Sequence, residues 1–255
     1  MKTLEESVMA AMDGSDQALL PYLPYILQDF WEIGTDPEII ISLIKKHADT
    51  GKQLNALDLG CGKGAVSVKV ASILGCKCYG IDAIPDFISF ASFKATEYGV
   101  KDLCRFEVGD IREKIKKLDK YDIVILGAIG QVFGNYHETL NGLKSHLNGG
   151  GFIIIDDGYI EDGSNYKNDQ YFRKSELNKQ ISDAGMFVVE EIIATEETHG
   201  DYDSEYNKLS KRCEELAEKY PEKEELFLSY REKQKEEYGL LKSGIICSTM
   251  VLKNA

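Results

Sequence analysis

The chain has 255 residues, 43% of them hydrophobic, with 43 acidic side chains against 30 basic and a formal net charge of −13. That length and apolar share suit one α/β domain with additions and a sizeable buried core. The acidic balance argues against nucleic acid as a partner, since phosphate recognition needs a basic stripe. No run approaches the ~20 apolar residues of a membrane span.

Residues 1 to 14 carry little pattern. The stretch from Leu19 to Trp31 is dense in aromatics and broken by Pro21 and Pro24, which suit the entry of a helix and not its middle. Asp36-Pro37 is a cap and first-position signal for a helix over 36–49, with Ile40, Leu43, Ile44 and His47 as its buried stripe. His47 there reads as a half-buried structural histidine. Strand and helix patterns then alternate: strand 54–59, helix 63–74, strand 77–82, helix 85–98, strand 104–108, a short helix 111–118 and strand 121–127. A helix over 136–147, strand 152–156, helix 173–184, strand 186–195 and a last strand over 245–252 follow. Strands flanked by apolar-faced helices imply a doubly wound, mostly parallel sheet covered on both sides, with right-handed crossovers. Between the last two strands, about 198–240, Tyr202, Tyr206, Leu209, Cys213, Leu216 and Tyr220 form one narrow helical stripe, and Pro221 opens a second helix. This acid-rich helical hairpin either folds over the ligand edge of its own sheet or meets another chain, a homodimer included.

The chain is organised around Leu57–Gly64, read as a strand, a glycine-rich turn and the start of a helix. The glycines allow a tight turn and close approach of backbone to a ligand, with helix amides facing the crevice. Asp82 ends the next strand about 20 residues on, where a carboxylate can accept both hydroxyls of a ribose. Asp110 ends the third strand. Three adjacent strand ends thus form the mouth of an adenosine site.

The stretches LDLGCGKG (57–64), GID (80–82), VGDI (108–111), YDIVILGA (121–128) and LNGGGFIII (147–155) resemble those of the class I S-adenosylmethionine-dependent methyltransferases, over roughly residues 50 to 195 and the last ten or so. The resemblance implies a Rossmann-like seven-stranded sheet with its last strand antiparallel, and S-adenosyl-L-methionine as cofactor. It implies cofactor contacts from Asp58, Gly60, Cys61, Gly62, Asp82, Ala83, Asp110, Ile111 and Gly127. The domain layout expected is an N-terminal helical cover over 1–50, the cofactor-binding domain over 51–197 and 241–255, and the inserted hairpin over 198–240. Tyr25 and Trp31, on the segment that often closes the pocket in that family, join Gln131, Asp157 and Tyr159, just past strands four and five, as candidate substrate contacts. Passive packing on the sheet edge is the other reading of residues 15–34.

No catalytic residue is assigned, because methyl transfer can run on alignment and exclusion of water. His137 is a candidate base, but it starts a helix that can face solvent. Asp156 and Asp157 resemble half of a catechol-type metal site; the fourth strand lacks the acid such a site needs, so no metal is expected. The six cysteines, at 61, 76, 78, 104, 213 and 247, follow no disulfide or zinc spacing. With no basic-then-apolar leader pattern, a cytoplasmic address is expected. The function expected is transfer of a methyl group to a small molecule. A regulatory protein that binds the cofactor without turnover is the alternative. A nicotinamide oxidoreductase fits less well, since the third glycine comes one place early for Gly-x-Gly-x-x-Gly.

Overall fold

The computed structural model describes residues 2–49, 51–168, 170–195 and 201–255. Seven strands form one sheet: β1 (Asn55–Leu59), β2 (Lys77–Asp82), β3 (Cys104–Val108), β4 (Tyr121–Gly127), β5 (Leu147–Tyr159), β6 (Met186–Ile193) and β7 (Ile246–Asn254). Their order is β3-β2-β1-β4-β5-β7-β6. Strands β1 to β5 run parallel, and β7 lies antiparallel between β5 and β6. The order reverses between β1 and β4, so the crevice beyond their carboxyl ends is where such a sheet receives a ligand.

Among the described residues ten α-helices flank or cap the sheet: α1 (Leu4–Ala11), α2 (Leu23–Ile26), α3 (Pro37–His47), α4 (Ala65–Leu74), α5 (Pro85–Glu97), α6 (Ile111–Lys114), α7 (Tyr136–Leu143), α8 (Lys174–Asp183), α9 (Tyr202–Lys219) and α10 (Glu224–Ser243). Because side chains alternate across a strand, Leu57, Leu59, Val124, Leu126, Ile153 and Ile155 meet Leu140, Leu143 and Leu177 on one face. Ala56, Ile123, Ile125 and Ile154 meet Ile40, Ile44, Val68 and Ala71 on the other. Central strands buried on both faces read as continuous apolar runs in the sequence.

A third apolar cluster stands above the carboxyl edge. Met9, Leu19, Leu23, Ile26 and Leu27 interlock there with Leu209, Cys213, Leu216, Phe227 and Tyr230 of the hairpin, and with Ile84 and Phe87 just past β2. Burying each large apolar side chain contributes roughly 1.5–3 kcal/mol, so the two segments hold each other firmly. The stripe of α9 is therefore covered within its own chain and needs no second copy to bury it. Residues 198–200 of the expected hairpin lie outside the described residues.

The structure differs from the sequence reading in three places. Helix α1 is present, capped by Thr3, whose side chain accepts the Glu6 amide while the Glu6 carboxylate accepts the Thr3 amide; that capping box was the available signal. Strand β5 starts at Leu147, ahead of three glycines, and Asn148 is held by Asp122 (3.1 Å). The helix expected over 136–147 stops at Leu143 and runs on as a 3-10 turn. No helix among the described residues is long and apolar enough to cross a membrane.

Candidate active site

Strand β1 turns sharply at Gly60, with φ +74°; a Cβ there would lie 2.5 Å from Ile129 Cγ2, so only glycine lets the loop after β4 come this close. Gly62, with φ +51°, has open space where its side chain would be. The loop amides are more committed than the sequence suggested. Gly60 and Cys61 both donate to the Ile81 carbonyl (2.8 and 3.1 Å), and Gly64 donates to the Cys61 carbonyl (2.9 Å). Gly62 donates to Asp82 Oδ2 (2.9 Å). Neighbouring parallel strands end side by side, so the backbone of β2 takes donors that the crevice would otherwise hold.

Asp82 is the centre of this side. Its other oxygen accepts the Ile84 amide (2.9 Å), and the residue is only 7% exposed. Burial raises its pKa, opposed by hydrogen bonds from the Ile84, Gly62 and Ala83 amides. A carboxylate offers roughly four acceptor positions, so capacity remains. Ala83 follows, half-buried. Asp110 caps α6 through the Arg112 amide (2.9 Å) and takes the Arg112 side chain on both oxygens (Nε 2.9 and 3.1 Å, Nη2 2.7 Å). That guanidinium holds the carboxyl below its ordinary pKa. Arg112 also reaches Ser7 Oγ (2.8 Å), which ties α1 to this edge. Ile111 is buried in the core beneath.

Asp58 lies under the loop, 3% exposed, and accepts Ser67 Oγ of α4 (2.7 Å). Desolvation pushes its pKa up to about 6. Burial likewise holds the Cys61 thiol well above its ordinary value. Gly127, at the end of β4, packs against Thr35, whose buried hydroxyl faces the Asp156 carboxyl.

Beyond β4 and β5 a cavity is lined by Ile129, Gln131, Tyr136, Asp156 and Asp157 among others. Tyr136 donates to Asp157 Oδ2 (2.8 Å) and Thr249 to Asp156 Oδ1 (3.1 Å). Gln131 donates to the Gln170 carbonyl (2.9 Å), drawing the loop after β5 over the opening. Among the described residues no cluster of three or more His, Cys, Asp or Glu could hold a metal.

Three sequence candidates sit elsewhere. Tyr159 is 1% exposed and packed in the core under Lys174, whose Nζ stands 4.0 Å over its ring. The β5 strand continues past the cavity, and this residue follows it inward. Tyr25 is 39% exposed and donates to Glu215 (2.8 Å). Trp31 donates to the Lys63 carbonyl (3.1 Å) and meets the Tyr98 ring (5.1 Å). His137 is exposed and bonds Asn141, while His47 is half-buried against Glu190.

The part played by Lys63 has no signal in the sequence. Between two glycines a lysine reads as a solvent residue, yet this one is 4% exposed. Its Nζ donates to the Leu27 carbonyl and to that of Phe30 (2.6 Å), beside the Phe87 and Phe90 rings (5.7 and 5.2 Å). Burial lowers its pKa to about 8. The glycine loop is thereby fastened to the cap.

A methyltransferase-domain family model matches residues 50–243, most of the chain. The probable cobalt-precorrin-6B C(15)-methyltransferase (decarboxylating) of Methanothermobacter thermautotrophicus is 34% identical over 113 residues, 44% of this chain and 57% of that protein. The ubiquinone biosynthesis O-methyltransferase of Rickettsia felis is 33% identical over 121 residues, 46% of this chain and 47% of that protein. The chain thus spans about half the length of these curated relatives. A SAM-dependent methyltransferase of Geobacter sulfurreducens, crystallised with S-adenosyl-L-homocysteine, superposes with a TM-score of 0.75 at 21% identity, covering 92% of this chain and 98% of that one. With the family model spanning the glycine loop, the strand-end acids and the inserted hairpin, the chain belongs to the class I S-adenosylmethionine-dependent methyltransferases, whose cofactor is S-adenosylmethionine.

Proposed function

We propose that this chain transfers a methyl group from S-adenosylmethionine to a small-molecule acceptor received beyond the carboxyl ends of β4 and β5. The observation that carries this reading is Asp82: a desolvated carboxylate with acceptor capacity to spare, next to the open face of Gly62 at the point where the sheet reverses. Those residues fit the cofactor. Asp82 would take the ribose hydroxyls, Ala83 and Ile111 would flank the adenine with Asp110 at its edge, and Gly60 to Gly62 would receive the amino-acid portion. Asp58 acts indirectly, by fixing α4 through Ser67, and Cys61 fills the space beside Gly80.

When bound, S-adenosylmethionine supplies an electrophilic methyl group. The chain's own contribution is alignment: Gly127 keeps the end of β4 slim, while Gln131 and Asp157 position the acceptor. Holding two partners aligned and dry is worth up to ~7–11 kcal/mol in favourable cases. The cap formed by residues 2–33 and the hairpin excludes water. Tyr25, Trp31 and Tyr159 support that scaffold, with no direct hold on the substrate. Six free cysteines suit a reducing compartment such as the cytoplasm.

Calorimetry with S-adenosylhomocysteine tests the reading. Binding is expected, and Asp82→Ala should weaken it at least tenfold without loss of fold, since hydrogen bonds to a charge are worth ~1.5–3 kcal/mol. An unchanged affinity in that variant places the ribose elsewhere. Release of S-adenosylhomocysteine from S-adenosylmethionine with an acceptor panel then separates an enzyme from a cofactor-binding switch.

A further inference from the structure

Lys63 stands between Gly62 and Gly64, which hold φ of +51° and +74°. Backbone of this kind is permissive on both sides of the lysine, so the turn takes its shape from what packs against it. Hydrogen bonds run both ways between Lys63 and the segment ahead of α3. The ammonium donates to the Leu27 carbonyl and to that of Phe30 (2.6 Å), and the Trp31 indole donates to the Lys63 carbonyl (3.1 Å). Leu27 caps the carboxyl end of α2, where helix carbonyls lack intrahelical donors and a cation is favoured.

The same segment is tied onward. Lys69 of α4 pairs with Glu32 (2.5 Å), and Arg212 of α9 holds both oxygens of Asp29 (2.6 and 2.9 Å). Asp29 also bears a negative charge that Lys63 feels. On its other side the ammonium faces Phe87 and Phe90 of α5, the helix that follows Asp82. A path of direct contacts therefore runs from the glycine loop through residues 27–31 to the hairpin.

An apolar side chain would fill this buried place without the cost of desolvating a charge. What lysine adds is reach. Its Nζ holds two carbonyls of the cap, while its neighbour Gly62 donates to Asp82 (2.9 Å). A cofactor seated against Gly62 and Asp82 would restrain this turn, and with it both the carbonyl and the ammonium of Lys63.

We propose that Lys63 is a positioning residue for methyl transfer: by holding residues 27–31 to the glycine loop, it couples occupancy of the cofactor site to closure of the cap. Such coupling is reciprocal, so an ordered cap tightens the cofactor by the same factor as the cofactor orders the cap. The inference rests on the methyl-transfer reading, because it takes the glycine loop and Asp82 as the cofactor's place.

The test uses the full chain and S-adenosylhomocysteine, with calorimetry for affinity and amide hydrogen exchange for the cap. In the wild type, saturating ligand should slow exchange over residues 15–34. Lys63→Met should bind the ligand at least about fivefold more weakly, the lower end of ordinary coupling. At saturation its exchange over residues 15–34 should stay within twofold of the unliganded variant, while amides of α4 still slow. Trp31→Phe removes the indole donor from a residue with no direct hold on the ligand, and should weaken binding at least threefold. If circular dichroism shows Lys63→Met unfolded, Trp31→Phe carries both readouts, with at most half the wild-type slowing over residues 15–34. Unaltered affinity in a folded variant overturns the proposal. Weaker binding with the full slowing retained would make Lys63 a support of the loop alone, and overturns it too, as does a wild type that binds without slowing there. Absence of binding by the wild type would instead sink the methyl-transfer reading itself.

Discussion

Lys63 carries an ammonium into a place where its hydrogen-bond partners are backbone carbonyls. Its native pKa, about 8, lies below the ordinary 10.5, so between those values the folded chain holds fewer protons than the unfolded one. Stability from this residue therefore rises with pH across that window. The difference in urea-unfolding free energy between wild type and Lys63→Met should grow in favour of wild type from about pH 8 to 10.5; a flat difference would mean the ammonium is not desolvated. Asp58 has the opposite sign. Its pKa is raised from 3.8 to about 6, so stability from it falls as pH rises through that range. Asp58→Asn, which keeps a side-chain partner for Ser67, should stabilise the fold by about 1–3 kcal/mol at pH 8 and by much less at pH 4. Asp82 was legible in the sequence because a strand-end acid at a fixed spacing has few other uses. The grip of Lys63 on the Leu27 and Phe30 carbonyls was not, because only tertiary folding brings together residues so far apart in the chain.

Among the elements, the strands other than β5 were legible to within about two residues at each end, because a sheet buried on both faces leaves uninterrupted apolar runs. The cover was not. The periodicity of α9 shows which face is apolar but not what covers it, and the aromatic segment before the core was a separate candidate. The structure makes them one layer. Tyr22 meets Phe227 edge-on (4.9 Å), Tyr25 donates to Glu215 (2.8 Å), and Arg212 grips both oxygens of Asp29 (2.6 and 2.9 Å). As a lid, this layer should exchange faster without ligand and close over it. Amide hydrogen exchange over residues 15–34 and 202–243 should therefore slow in both segments together when S-adenosylhomocysteine binds. Slowing in one segment alone would split the layer, and equal protection with and without ligand would make it passive packing. Arg212→Ala should leave global stability nearly unchanged, since the pair is solvent-screened, and should quicken exchange mainly at α2.

At the scale of the whole molecule, the hairpin's apolar stripe decides between a chain that stands alone and one that pairs. Leu209, Cys213, Leu216, Phe227 and Tyr230 are at most 4% exposed within a single chain, so their burial supplies no drive to dimerise. Large apolar side chains left outside, such as Ile73 on α4, Phe93 on α5 and Phe187 on β6, come from different elements, and scattered exposure of this kind is ordinary. A net charge of −13 adds repulsion between copies. Sedimentation velocity of the full chain should therefore show one species near 28.6 kDa at micromolar concentration. Removing residues 1–33 takes away Leu19, Leu23, Ile26 and Leu27, and with them the cover of the stripe. That shortened chain should self-associate with rising concentration, more readily in high salt where the repulsion is screened. A dimer of the full chain that survives Leu209→Lys would show pairing through some other surface. A dimer abolished by that substitution would show that the stripe, although covered in cis, opens to receive a second copy.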